Sequence, residues 1–299
     1  MTQSTTQAGA PAGSTAMQWH VNGLELHGLA WGDPSHTPVL ALHGWLDNAA
    51  SYAFLAPQMH GCYVVAPDLT GHGLSDNRSA DSSYQIWDDL PELMGITEAL
   101  GWESFSLLGH SRGAIISMLL ASAIPERVRS LALLDGVVPP PIDESDFPAQ
   151  MRKALDDKAL LLNRPSRAYE SIDLALAVRL RKGLSHAAAE AIVGRNLTED
   201  TDGFRWRTDP RLQGASAMKL TAGQSRAAMK ALDMPVLLLL AEETLYRAQG
   251  LEELVAENIR TITVEQVPGH HHFHMEEGCE KVADRLGAFI GAAMEEGNA

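Results

Sequence analysis

Cysteine is nearly absent: Cys62 and Cys279 are the two in 299 residues. A disulfide framework is therefore excluded, and a metal cage built of thiolates is not expected. Long apolar runs are missing too. The longest, Ala114 to Ile124, has 11 residues, against about 20 for a membrane-crossing helix. Positive charge is scarce, with 23 Lys and Arg against 38 Asp and Glu, a formal charge of −15. A surface of that sign repels phosphate backbones and anionic lipid, so neither nucleic acid nor membrane is an expected partner. The opening MTQSTTQAGAPAGSTA has no basic start and no apolar run, unlike a secretory leader. Residues 1–16 read as a disordered tail on a cytoplasmic protein. No repeat of solenoid or propeller period is present.

What is present is an ordinary globular composition, 45% hydrophobic and 20% charged. Residues 19–31 read as a hairpin turning at Asn22-Gly23. Six apolar runs follow: PVLALHG, CYVVAPD, FSLLGHS, LALLDG, PVLLLLAEE and RTITVEQVPG. The central runs lack polar alternation, which predicts strands buried on both faces. Helical patterns separate them, so the expected fold class is α/β, a parallel sheet with helices on both faces. Ile115, Met118 and Leu119 share a helix face with Ser122, and Val282, Leu286, Phe289 and Ile290 mark a C-terminal helix. A helix capped near Asp81 and Ser82 and running toward Leu100 should kink or break at Pro91. From Pro139 to Leu232 the pattern changes to Ala, Arg and Leu without a strand-like run, closing on a Thr221–Gln224 capping box. Residues 17–138 and 233–299 thus read as a core, and 139–232 as a helical cap over the crevice at the strand ends.

The strongest chemical signal is Gly109-His110-Ser111-Arg112-Gly113, between an apolar strand and an apolar helix. A serine on so tight a turn lifts its hydroxyl clear of the backbone, and the flanking glycines leave room for the bend. The helix N-terminus behind it favours developing negative charge. His43-Gly44-Trp45-Leu46-Asp47-Asn48 closes another strand, and the amides of Trp45 and Arg112 would together form a two-donor oxyanion hole. Pro268-Gly269 then leads into His270, His271, His272 and His274. Four histidines so close suit a metal completed by Asp or Glu from elsewhere. One of them acting as general base explains the pattern with less, and the order serine, acid, histidine is that of α/β-hydrolases.

With the loop Asp68-Leu69-Thr70-Gly71-His72-Gly73-Leu74-Ser75 added, the chain resembles the α/β-hydrolase superfamily over about residues 19–292. HGWLDNAASY, GHGLS and HHFHM are closest to the serine hydrolase-like protein group and the related MEST-like hydrolases. The resemblance implies an eight-stranded sheet with a helical cap inserted after the sixth strand. It makes His271 the base, with His272 and His274 as packing or hydrogen-bonding neighbours, and Asp68 a structural residue. Many relatives carry the acid where this chain has Thr244. Two carboxylates compete for the role: Asp135, preferred, at the end of LALLD, and Glu243. Arg112 is expected to face the surface. Met151, Leu155, Leu160, Leu161, Leu162, Phe204 and Trp206 of the insertion either line an acyl pocket or form its own core.

The expected activity is hydrolysis of a small-molecule carboxylic ester through Ser111, His271 and Asp135 or Glu243, by way of an acyl-enzyme, with no cofactor and no metal required. Thioester, lactone or C–C bond hydrolysis on the same triad is the alternative chemistry. A catalytically silent binding protein of the same fold is the alternative class.

Overall fold

A computed structural model describes residues 10–162, 164, 168–244 and 250–296. Its framework is one eight-stranded sheet. β1 (Thr15–Val21) and β2 (Leu24–Trp31) form the opening hairpin, with Asn22 and Gly23 both at positive φ, as the tight turn requires. β3 (Thr37–Leu42), β4 (Cys62–Pro67), β5 (Phe105–His110) and β6 (Val128–Leu134) follow. Far along the chain, β10 (Val236–Glu243) and β11 (Ile262–His270) complete the sheet. The order is β1-β2-β4-β3-β5-β6-β10-β11, and all pairs from β4 to β11 are parallel.

Side chains alternate between two core layers. Leu40, Leu107, Leu131, Leu133 and Leu238 face one, whereas Val39, Leu108, Ala132, Leu134 and Leu237 face the other. Both faces are buried, which is why the sequence shows unbroken apolar runs in place of alternation. On the first face pack α1 (Leu90–Ala99) and α2 (Arg112–Ala123), through Leu93, Ile96, Ile116 and Leu120. The opposite face is covered by α8 (Cys279–Glu296), through Val282, Leu286 and Ile290.

Between β6 and β10 lies the insertion. It holds α3 (Phe147–Leu161), β7 (Ala168–Tyr169), α4 (Ile172–Leu180), α5 (His186–Asn196), β8 (Leu197–Asp200), β9 (Gly203–Trp206) and α6 (Ala222–Lys230). α4 and α5 share an apolar cluster, with Ala175, Leu176, Ala188 and Ile192, that Met275 of the main body joins. α6 starts at the Thr221–Gln224 capping box and places Met229 in the core layer of the main sheet. α7 (Leu251–Asn258) joins the same layer through Val255.

Three expectations change. β1 begins at Thr15, so Thr15 and Ala16 belong to the sheet and not to a tail; residues 1–9 lie outside the described residues. Pro91 neither kinks nor breaks a helix, because α1 starts at Leu90 and a first-turn proline lacks only an N–H that had no partner. A capping box from Gln85 and Asp88 opens the preceding 3₁₀ turn instead. The insertion also contains a three-stranded antiparallel sheet, β7-β9-β8. Its strands have two to four residues, and β8 exposes Glu199 and Asp200, so no apolar alternation announced them.

The tightest approach in the core is at α2. A β-carbon on Gly113 would lie 2.0 Å from the carbonyl oxygen of Leu42 in β3, and one on Gly109 would lie 2.5 Å from the carbonyl oxygen of Gly113. Both neighbours are backbone and cannot swing aside. Gly113→Ala is expected to cost at least 1–3 kcal/mol or so, the usual range for overpacking. Urea unfolding measures it, and an unchanged midpoint would show that α2 is free to shift.

Candidate active site

Ser111 joins β5 to α2 with φ 53° and ψ −117°. A residue with a β-carbon rarely occupies that region, at a cost of order 1–3 kcal/mol. The surroundings leave the chain little choice. The Ser111 N–H donates to the Leu134 carbonyl at 2.9 Å, and Gly136 packs so closely that a β-carbon there would lie 2.7 Å from the Ser111 carbonyl oxygen. The serine is half-buried at the end of the sheet where β3, β5, β6 and β11 all finish.

Asp135 follows β6 with φ 45° and is fully buried. Its N–H donates to the Leu239 carbonyl at 2.8 Å, and its Oδ1 accepts from the Ala241 N–H at 3.1 Å. These two bonds to β10 aim the other oxygen. Asp135 Oδ2 lies 2.5 Å from His271 Nδ1. Glu243, the other carboxylate considered, is exposed at the end of β10 and makes no hydrogen bond to His271 among the described residues. The His271 carbonyl accepts from His110 Nε2 at 2.8 Å, with the two rings 4.7 Å apart. The loop carrying His271 is thus tied to the residue before Ser111.

The turn after β3 is set by two buried histidines. His43 Nδ1 donates to the Gly44 carbonyl at 2.8 Å while its Nε2 accepts from the Leu69 N–H at 3.0 Å. His72 Nδ1 donates to the Thr70 carbonyl at 3.2 Å, and its Nε2 accepts from the Leu46 N–H at 3.3 Å. Leu46 has φ 62°, and Arg179 of α4 bonds its carbonyl oxygen. Among the described residues, neither the Trp45 amide nor the Arg112 amide donates a backbone hydrogen bond. The Arg112 side chain corrects an expectation. It does not face the surface: the side chain is 16% exposed and its guanidinium lies 2.8 Å from buried Asp89. The first turn of α2 packs against the 3₁₀ turn Ile86–Asp89, so the side chain enters that seam.

Asp68 pins the loops around this end of the sheet. Its carboxylate accepts from the Ala49 and Leu74 amides and from Arg195 of α5, all at 2.8–3.0 Å. Asp47 carries a similar load. Burial alone would raise its carboxyl, but the hydrogen bond and charge of His272, with Arg179 and His110 beyond, hold it well below the usual carboxylate range. His272 is therefore a hydrogen-bonding neighbour, as is His274, whose Nε2 lies 2.9 Å from Ser51 Oγ. Asp47 sat in a motif but was assigned no role from sequence, and nothing local to Arg179 or Arg195 gave them a signal. Their partners lie 132 and 127 residues away.

Two clefts open toward the insertion. One, of about 360 Å³, is bordered by Trp45, Leu46, Tyr169, Arg179, Lys182 and Trp206. Another, of about 200 Å³, includes Leu155, Leu161 and Tyr84. Leu160 and Leu162 are exposed and line neither. Among the described residues, no helix is long and apolar enough to cross a membrane.

Comparison with known proteins adds an independent finding. A family model described as alpha/beta hydrolase fold matches residues 37–278. A serine hydrolase-like protein of Danio rerio is 31% identical over 265 residues, 84% of this chain and 81% of the relative. Serine hydrolase-like protein 2 of Homo sapiens is also 31% identical, over 87% and 89%. The crystal structure of a hypothetical protein from Pseudomonas aeruginosa PAO1 superposes with a TM-score of 0.87 at 37% identity, covering 92% of this chain and 99% of that one.

The histidines of the turn make the fold sensitive to acid. Burial is the main cause holding His43 and His72 below the ordinary value of 6.5, and their mutual charge repulsion adds to it for His72. Above pH 6.5 both are neutral in the folded and unfolded chain. Below it the unfolded chain takes up protons first, and each histidine removes about 1.4 kcal/mol per pH unit until its lowered folded value is reached. Asp47 acts in the same sense at lower pH, since its stabilisation is lost as the pH falls from 3.8 through its lowered folded value. The expected result is a Tm that falls steadily from pH 7 to pH 5, in a series of thermal melts at constant ionic strength. In His72→Gln that slope should be shallower.

Proposed function

The chain belongs to the alpha/beta hydrolase fold family, and from that premise we propose that it is a serine hydrolase cleaving carboxylic esters through Ser111, His271 and Asp135. The observation that carries the reading is the 2.5 Å contact between His271 Nδ1 and buried Asp135, on a loop fastened to the residue before a strained serine. The names of the relatives in fish and human agree with a serine nucleophile.

In the first step Ser111 Oγ attacks the acyl carbonyl carbon and its proton passes to His271 Nε2. Asp135 accepts from Nδ1–H. That bond fixes the tautomer leaving Nε2 free to accept, and it stabilises the imidazolium that forms. The carbonyl oxygen becomes an oxyanion, held by the amides of Trp45 and Arg112. His271 then returns the proton to the departing alkoxide, and the C–O bond to the alcohol breaks. Water, deprotonated by His271, attacks the acyl-enzyme and frees Ser111 and the acid product. No step calls on a metal or an organic cofactor.

The insertion is the cap of this reading. The larger cleft begins at Trp45, whose amide serves the oxyanion, so it is placed to receive one arm of the ester. Its walls are aromatic and basic, with Arg164 and Lys182 beside the Asp47-paired Arg179, and no carboxylate stands among the described lining residues. In a chain of charge −15 that bias favours an acyl or alcohol arm ending in a carboxylate.

A fluorophosphonate probe is expected to label the native protein and not Ser111→Ala. Absence of labelling in native protein would sink the enzymatic reading in favour of a binding protein. On p-nitrophenyl esters, His271→Ala and Asp135→Asn should each lower kcat by roughly 10³–10⁴-fold, while Glu243→Gln stays within about twofold of native. The reverse order would transfer the acid role to Glu243. Parallel assays on acyl thioesters rank the bond class. Lys182→Ala should raise KM for a hemisuccinate ester several-fold with kcat unchanged, and leave a neutral ester of equal length unaffected; equal effects on both would remove the anionic arm.

A further inference from the structure

Beside the Asp135–His271 pair stands a second aspartate–histidine pair. Asp47 Oδ2 lies 3.2 Å from His272 Nε2, and the imidazoles of His271 and His272 are 5.1 Å apart between centroids. His110, fully buried, completes the group with its ring 4.9 Å from that of His272. One ligand atom from each of Asp47, His110 and His272 lies within 4.8 Å of the other two.

The hydrogen bonding of this group does not balance. His110 Nε2 faces the His271 carbonyl at 2.8 Å, and a carbonyl can only accept, so Nε2 carries the hydrogen. His110 is fully buried, and burial without a paired counter-charge disfavours the charged form of an imidazole. His110 Nδ1 is therefore a bare lone pair, and it is buried without a hydrogen-bond partner among the described residues. It converges with the carboxylate on one point: a β-carbon built on Gly44 would lie 2.9 Å from His110 Nδ1 and 3.0 Å from Asp47 Oδ2. Asp47 cannot donate, and the single N–H of His272 on this side is directed at Asp47. Two acceptors thus share one donor, in a space that a glycine keeps open.

We propose that Asp47, His110 and His272 form a binding site for a divalent transition metal of the zinc class, and that filling it inhibits hydrolysis. Two imidazole nitrogens and one carboxylate oxygen suit zinc, with the fourth position left for water. The outer contacts that such ligands need are in place. His110 donates its far N–H to a backbone carbonyl, and Asp47 Oδ1 accepts from Arg179 at 3.2 Å. Binding displaces the Nε2 proton of His272 to solvent. The His272 side chain is 14% exposed and gives the ion its way in.

The inhibitory half rests on the catalytic reading above. His271 must become an imidazolium during turnover, and a dication on the two rings packed against it opposes that charge. The binding half rests on the cluster alone.

The test separates the two. Full-length protein is freed of metal with a chelator and titrated with Co²⁺ and with Zn²⁺, in the native form and as Ser111→Ala, which needs no activity. A single equivalent should bind. Co²⁺ should give visible bands of a four- or five-coordinate site that Zn²⁺ displaces, and His272→Gln should weaken binding by at least ~10-fold. X-ray absorption on zinc-loaded native protein, which depends on no variant, should show imidazole scattering. No saturable binding in native protein, or a bound ion without imidazole ligands, overturns the site. For the inhibitory half, zinc should lower ester hydrolysis at least ~10-fold, reversibly with chelator and not in His272→Gln. Bound zinc with hydrolysis unchanged overturns inhibition. Metal-free native protein that neither hydrolyses esters nor takes the fluorophosphonate probe overturns the catalytic reading instead, and with it inhibition, while the cobalt spectrum still decides the site.

Discussion

Everything at the functional end of the sheet depends on how closely α2 approaches the backbones of β3 and β5. No β-carbon fits at Gly109 or Gly113. With those two positions bare, the chain bends within one residue, and Ser111 takes a conformation that serines avoid. The cost is local and the support is distributed. The Leu134 carbonyl, Gly136 and the first turn of α2 each hold one side of the bend. The same bend leaves the Arg112 amide at the start of a helix without an intrahelical acceptor. The strained serine and the unpaired amide beside it are two results of one steric constraint.

The sheet was legible in the sequence because burial on both faces leaves a simple trace, and LALL and VLLLLA can be little else. The serine was legible for a related reason, since glycines two residues to either side of it have few other uses between a strand and a helix. The carboxylate that meets His271 was not, because β6 and β10 lie side by side in the sheet and end close to each other. Strand order is a property of the whole fold, and a residue at either end looks equally able to reach His271. What distinguishes Asp135 is a positive φ and two bonds to β10, and neither leaves a mark in the local sequence. The small sheet of the insertion escaped notice because its strands are too short and too polar to alternate. Arg112 was misplaced because arginine composition alone favours solvent, whereas its seam with Asp89 is a tertiary feature.

The buried charges share a pattern. Asp68 with Arg195, and Asp47 with Arg179, each join a loop of the sheet to a helix of the insertion. Pairs of this kind rarely add much net stability over apolar packing, because both partners lose their hydration. They do penalise every arrangement in which one partner is left alone. Their role here is to fix the register of α4 and α5 above the strand ends, where the apolar cluster reaches the core through Met275 and Phe54. Ala, Leu and Ile surfaces would tolerate a slide, but two guanidinium–carboxylate contacts at separate points do not.

Arg179 has a further consequence. It grips the turn carrying Trp45 from above at two points, the Leu46 carbonyl and Asp47. If α4 lifted to widen the entrance, that grip would be released and the turn would lose the contact that braces it. The width of that entrance and the shape of the turn beneath it are therefore not independent: one hinge pin holds both.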